Sequence, residues 1–221
     1  AVERLDRVFL THLHSDHTVG LPDLLFTPWV LERRAPLKVF GPAGTAAMLG
    51  HIEAAWAEDV DIRLHGGEPS NPTGWQAEAH EIEPGVVYAD SLVTVTAFPV
   101  RHGAWPHAFG YRFDTPDCAI VISGDTAPCD SVVTACHGCD VLVHEAYSTA
   151  GFAARSPEWQ RYHARFHTSA EDVGRLATRA RAAHVILYHQ LRWGHSDAEM
   201  VGEVRRGYSG RVDSAGDLEV Y

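Results

Sequence analysis

Long apolar runs are missing from this chain. No stretch approaches the roughly 18 to 20 residues that a membrane-crossing helix needs, so the sequence reads as a soluble protein with no membrane partner. Cysteine is scarce as well. The four present, Cys118, Cys129, Cys136 and Cys139, are too few for a disulfide framework in 221 residues. The Cys136-His137-Gly138-Cys139 step has no second CxxC to complete a metal site and reads as small buried thiols, a disulfide in an exported protein being the alternative. Positive charge is also short. Lys plus Arg number 18 against 29 Asp plus Glu, a formal net charge of -11, which repels polyanions and argues against a broad nucleic-acid footprint. The chain opens at Ala1 rather than Met, so no targeting segment can be read, and the compartment stays open between cytoplasm and export.

Histidine is what the chain has in excess, at 15 residues, and three of them sit with an aspartate in Thr11-His12-Leu13-His14-Ser15-Asp16-His17-Thr18-Val19-Gly20. The apolar run Val8-Phe9-Leu10 ahead of them predicts a buried strand over Val8 to Thr11, then an irregular loop closed by Gly20. Side chains at alternate positions can converge at such a strand end. Imidazole nitrogens and a carboxylate are ligands for zinc and its first-row neighbours. Four of them exceed what one tetrahedral ion draws from one loop, so the pattern suggests two ions, His12 and His14 on one and Asp16 and His17 on the other. The plain alternative is a solvated histidine loop. With 45% hydrophobic residues and no composition break, residues 1–221 read as one domain with a sizeable core.

Beyond the motif, helical periodicity runs from Leu21 to Leu31, with Pro22 tolerated in the first turn. Leu37 to Phe40 reads as a strand, and Gly41-Pro42-Ala43-Gly44-Thr45 introduces an Ala-rich helix to about Glu58. Val60 to Leu64, Gln76 to Ile82, Val86 to Ala89 and Leu92 to Pro99 alternate like strands of a twisted antiparallel sheet, and His65 to Gly74 reads as surface loop alone. Thr94 to Val100 then delivers His102, with His107 beyond it. Cys118 to Ile122 is a central strand ending in Ser123-Gly124-Asp125-Thr126, where a carboxylate can bridge two cations. The alternative there is Asp125 capping a helix from Ser131 to Cys136. Asp140 to Val143 is a buried strand leading to His144-Glu145-Ala146-Tyr147-Ser148. The aromatic passage Phe152 to Phe166 follows, either lining the site or simply packed. Ser169 with Asp172 starts a helix to Ala182 and holds His167 just ahead of it. His184 to Tyr188 delivers His189, Ser196 with Glu199 caps the last helix, and Gly216 to Tyr221 closes as an edge strand.

The segment His12-Leu13-His14-Ser15-Asp16-His17 resembles the signature of the metallo-β-lactamase-fold hydrolases. The segments Gly41-Pro42-Ala43-Gly44-Thr45, Phe109-Gly110-Tyr111-Arg112, Gly124-Asp125-Thr126, His144-Glu145-Ala146 and His167-Thr168 are most similar to its ribonuclease Z and arylsulfatase-like branch. The resemblance implies an α/β fold, a four-layer αββα sandwich, with N-terminal strands ahead of the motif that this sequence lacks. It also implies a ligand set: His12, His14 and His102 on one ion, Asp16, His17 and His189 on the other, and Asp125 between them. His107 would then stand beside the site or in a lid. Two Zn2+ ions are expected, with Mn2+ or Fe2+ as substitutes. The same resemblance pairs Glu145 with His167 as a proton-delivery unit.

Two close dications acidify a water and clamp the oxygen on which charge develops, so the expected reaction is hydrolysis, with Asp16 also orienting the attack. Ribonuclease Z relatives carry a long arm that grips tRNA after the FGYR segment, whereas Tyr111 to Pro116 passes straight into the next strand. That departure, with the acidic balance, makes a small-molecule ester the expected substrate, a phosphodiester or an aryl sulfate, phosphate or carboxylate, and disfavours tRNA. The alternatives are a ribonuclease Z-type tRNA 3′ endonuclease, a lactonase or a β-lactamase. A di-iron redox relative would carry Glu where His14 stands, and a non-catalytic metal-binding module would show a degraded ligand set. Oligomeric state is open, a homodimer included.

Overall fold

Parallel strands need crossover connections, and the N-terminal part of the chain supplies two of them. The computed structural model describes residues 2–221. Its first unit, Ala1–Glu83, holds β1 (Arg7–Phe9), β2 (Leu37–Gly41) and β3 (Ala77–Glu81) in a parallel sheet of that order. The first crossover is α1 (Ser15–Thr18) with α2 (Leu21–Val30), and the second is α3 (Thr45–Ala55) with α4 (Ala57–His65). Leu25, Trp29, Leu37, Val39 and Leu49 form the centre of this unit's core.

Helix α4 replaces the strand expected over Val60 to Leu64. Val60 and Leu64 are four apart and both pack on the core, while Ile62 between them is 60% exposed, so their alternation is a helical face with an outlier. The pair Asp59 and Arg63, at 3.1 Å, adds i,i+4 support. Because a helical crossover precedes it, β3 runs parallel to β2 rather than joining an antiparallel sheet.

The stretch after α4 is more than a surface loop. Arg33, 1% exposed, donates from Nη1 to Leu5 O (2.9 Å) and Leu24 O (3.0 Å), and from Nη2 to Leu25 O (2.6 Å) and Gly74 O (2.9 Å). The guanidinium thereby ties α2 to the segment entering β3. Arg33→Leu should cost about 3 kcal/mol, because buried carbonyls lose their donor and no water replaces it. Urea unfolding of the whole chain measures this. Arg33→Lys should recover little, since an ammonium cannot span four acceptors.

The second unit, Pro84–Tyr221, is built on a seven-stranded sheet. Antiparallel strands β4 (Gly85–Ala89), β5 (Thr94–Pro99), β6 (Phe109–Asp114) and β7 (Ala119–Ile122) form one half. After α5 (Asp130–Cys136), the strand β8 (Val141–Tyr147) adds parallel to β7. Helices α6 (Thr149–Ala153), α7 (Pro157–Phe166) and α8 (Ala170–Ala180) lead to β9 (His184–Leu191), and α9 (Asp197–Arg205) to β10 (Arg211–Ser214), both strands parallel. Val121, Leu142, Val185 and Leu187 meet Val173, Ala177 and Val204 in its core.

Two further expectations are corrected here. The edge strand is β10, whose Val212 is buried opposite Val185, while the tail exposes Leu218 and Val220 and turns back through Tyr221 Oη donating to Ser214 O at 2.9 Å. Cys136 and Cys139 are buried but bonded to each other as a disulfide rather than free thiols. A left-handed His137 (φ 34°) followed by Gly138 (φ 86°) folds the four-residue turn so that the two sulfurs meet. No helix among the described residues is long and apolar enough to cross a membrane.

Candidate metal centre

In the first unit, the histidine segment leaves β1 and turns once as α1 instead of running on as an irregular loop. His14 stands at the N-cap in extended conformation (φ -60°, ψ 149°) and Asp16 lies in the first turn, where a carboxylate favours the positive helix end. His12 is fully buried, and its Nε2 lies 3.0 Å from His14 Nδ1. Two nitrogens bound to one tetrahedral zinc at about 2.05 Å stand about 3.3 Å apart, so these two are spaced as a ligand pair. His17 packs on His12 with ring centroids 4.2 Å apart, and its Nε2 is 3.6 Å from Asp16 Oδ2. The donor set fits a divalent cation.

In the second unit, β5 ends at Pro99 and His102 follows the bridge that Arg101 makes with Ala127. His102 is 2% exposed and its Nδ1 donates to Phe166 O at 2.8 Å, which fixes the tautomer and leaves Nε2 with its lone pair for a metal. Asp125, also 2% exposed, follows the left-handed Gly124 (φ 61°) beyond β7. Its Oδ2 lies 3.5 Å from His189 Nε2 and 3.9 Å from His167 Nδ1. His189 is not a plain strand end. It sits inside β9 as the extra residue of a bulge, Glu145 pairing with Tyr188 and Ala146 with Gln190, and its φ is 44°. A bulge re-aims a side chain that strict alternation would send elsewhere.

Glu145 is fully buried on β8. Its Oε1 accepts from Thr168 N at 2.8 Å and Thr126 N at 3.4 Å, and its Oε2 lies 3.4 Å from His167 Nδ1. Burial pushes the carboxyl up to about 7, against the opposing pull of His167. Neighbouring His144 is buried and driven down to about 4, and its Nδ1 donates to Glu145 O at 2.6 Å, so it is a neutral structural ring. Within this unit His102, Asp125 and His167 form one group able to grip a cation, and Glu145, His167 and His189 form another. His167, read as an acid from sequence, is therefore placed to ligate as well. His107 is exposed and His195 is 3.5 Å from Glu199 on α9. Neither stands in these groups.

Phe166 links this cluster to α7. Its ring meets His102 edge-on at 5.1 Å, and Gly103 N donates to Arg165 O at 3.0 Å. Gly103 has φ 57°, and a Cβ there would overlap the Phe166 ring. Gly103→Ala should therefore displace Phe166 and the carbonyl that orients His102. The expected loss is about 10²-fold in kcat/KM, as for a catalytic group misplaced by about 1 Å, and steady-state kinetics beside a thermal melt would register both effects.

A profile for the beta-lactamase superfamily domain matches residues 1–190. A ribonuclease Z from Mycobacterium sp. (strain KMS) is 33% identical over 194 residues, which is 86% of this chain and 67% of that protein. A putative ribonuclease Z from Mycobacterium tuberculosis (strain CDC 1551 / Oshkosh) is 29% identical over 217 residues, 96% of each. Among solved structures, the short form of human tRNase Z superposes with a TM-score of 0.71 at 20% identity, covering 99% of this chain and 79% of that one. The metallo-beta-lactamase fold protein YhfI from Bacillus subtilis gives 0.70 at 19% identity, covering 97% and 76%. The mixed α/β architecture, with helices flanking its sheets, is the metallo-β-lactamase fold.

Proposed function

The chain belongs to the β-lactamase superfamily, in the ribonuclease Z branch of its metal-dependent hydrolases, and we propose that it is an RNA endonuclease that cuts a phosphodiester at the 3′ end of tRNA precursors. The relatives named ribonuclease Z overturn the expectation of a small-molecule ester and of tRNA as a poor partner. The physical error lies in treating a net charge summed over the chain as a local property. The passage from β6 to β7 is indeed short, but an absent arm removes one means of gripping RNA, not the chemistry.

The observation that carries the hydrolytic reading is the cluster of buried Asp125, Glu145 and His167 with the partly buried His189. Two divalent ions, zinc by the imidazole-rich donor set, would be held by the ligand set that the family resemblance implies, His12, His14, Asp16, His17, His102, Asp125 and His189. When bound, the ions supply electrophilic stabilisation of the phosphoryl oxygens and acidify a water. Asp16 would accept a hydrogen bond from the attacking water and set its line of approach. Glu145, clamped by Thr126 and Thr168, holds the His167 ring and favours its protonated form. His167 hands its proton to the departing ribose oxygen. The test is a tRNA precursor with a 3′ trailer, incubated with the zinc-loaded protein and resolved by length. A single cut at the trailer junction supports the reading, and no site-specific cut would refute it.

A further inference from the structure

Helix α7 carries Trp159, Tyr162, His163 and Phe166 at the i, i+3, i+4, i+7 spacing of one face. A core helix would hide that face. Here its inner end is committed to the site, through Phe166 against His102 and His163 against His167 at 5.7 Å between centroids. Its outer end stands in solvent, with Trp159 48% and Tyr162 38% exposed. Trp159 meets Tyr162 edge-on at 5.6 Å and stacks on His163 at 5.5 Å, so the rings run without a break from solvent to the proposed proton donor.

The same segment is basic in an acidic protein. Arg155, Arg161 and Arg165 face a single acid, Glu158. Arg155 lies over Trp159 at 5.9 Å and over Trp193 at 5.4 Å, its Nε is buried, and no carboxylate among the described residues forms an ion pair with it. A cation held by ring faces rather than by a carboxylate keeps its charge available to a phosphate. Exposed aromatic faces interleaved with unneutralised arginines are how proteins hold single-stranded nucleic acid, the rings taking bases and the cations taking the backbone.

We propose that Trp159, Tyr162 and Arg155 form a stacking platform for an unpaired nucleobase of the RNA strand flanking the scissile phosphate. The inference deepens the endonuclease reading and rests on it for the position of the phosphate. It also resolves the charge objection, because a strip of this kind needs only local positive charge.

Two precursors test the platform, identical in every phosphate but with the unpaired 3′ trailer carrying its bases in one and abasic nucleotides in the other. The native protein should prefer the base-bearing trailer by roughly 5- to 150-fold in kcat/KM, the range for one stacked base. Trp159→Ala should abolish that preference and Trp159→Phe should keep most of it, with metal content and melting temperature unchanged in both. No preference in the native protein, or one that survives in the Trp159→Ala/Tyr162→Ala double variant, overturns the platform. Fluorescence anisotropy with the isolated trailer oligonucleotide separates this failure from failure of the parent reading. Base-dependent, Trp159-dependent binding without cleavage of either precursor would sink the endonuclease and leave the platform standing. Equal cleavage of both precursors would sink the platform alone.

Discussion

Asp125→Ala should lower bound metal from about two ions per chain to one or fewer and cut kcat/KM by roughly 10³-fold, equivalent to several kcal/mol of lost charge stabilisation. The carboxylate is 2% exposed, with His189 and His167 both within 4.0 Å of Oδ2. A buried charge of this kind persists only where positive charge offsets its desolvation. Neutral imidazoles acting as ligands do not supply that charge, whereas bound divalent ions would. Elemental analysis after reconstitution in excess zinc reads the stoichiometry directly. Asp125→Asn keeps the shape and one oxygen, so it should fall between alanine and the native protein. Two ions retained in Asp125→Ala would exclude a bridging role. One ion in the reconstituted native protein would exclude the dinuclear reading altogether.

Side chains whose chemistry is written in a short local motif are legible in the sequence itself. His12, His14, Asp16 and His17 fall within six consecutive positions, and Asp125 directly follows Gly124 at the end of an apolar run. What the sequence hides depends on partners distant along the chain. His189 is aimed by a bulge that exists only because β8 and β9 pair out of step after Glu145. Thr126 and Thr168 hold Glu145 through backbone N–H groups, and a backbone donor leaves no trace in residue type. Val60 to Leu64 misleads for a different reason. Three alternating apolar residues satisfy a strand pattern and part of a helical one, and the choice between them is made by burial against Trp29 and Leu49, which a local window cannot see. The charge argument against RNA fails likewise, since composition averages over the arginine-rich segment from Arg155 to Arg165.

Removing the His167 imidazole separates proton donation from metal ligation, because the two roles answer differently to the leaving group. A ribose oxygen departs as a strong base and needs a proton, a service worth about 10² to 10⁴ in rate. A p-nitrophenolate needs none. His167→Ala should therefore slow cleavage of a plain dinucleotide by about that factor while leaving the p-nitrophenyl ester of a nucleoside 5′-phosphate almost unaffected, with metal content unchanged. The geometry makes the rival outcome concrete, since His167 also stands in both second-unit donor groups. Loss of metal, or an equal loss on both substrates, would make it a ligand. The pH profile gives an independent reading. Glu145 is pushed up to about 7 by burial, with His167 drawing it back down, so carboxyl and imidazole share protons as one unit. The proton-holding form exists below the unit's upper pKa and disappears as pH rises through it. Dinucleotide cleavage by the native protein should accordingly fall on the alkaline side, p-nitrophenyl ester cleavage should not fall there with it, and His167→Ala should lose that alkaline limb. Glu145→Gln can no longer share a proton with the ring, and it should move the limb to lower pH while leaving the metal in place. An alkaline limb unmoved in Glu145→Gln would separate the carboxyl from proton delivery and leave it as a tether for Thr126 and Thr168.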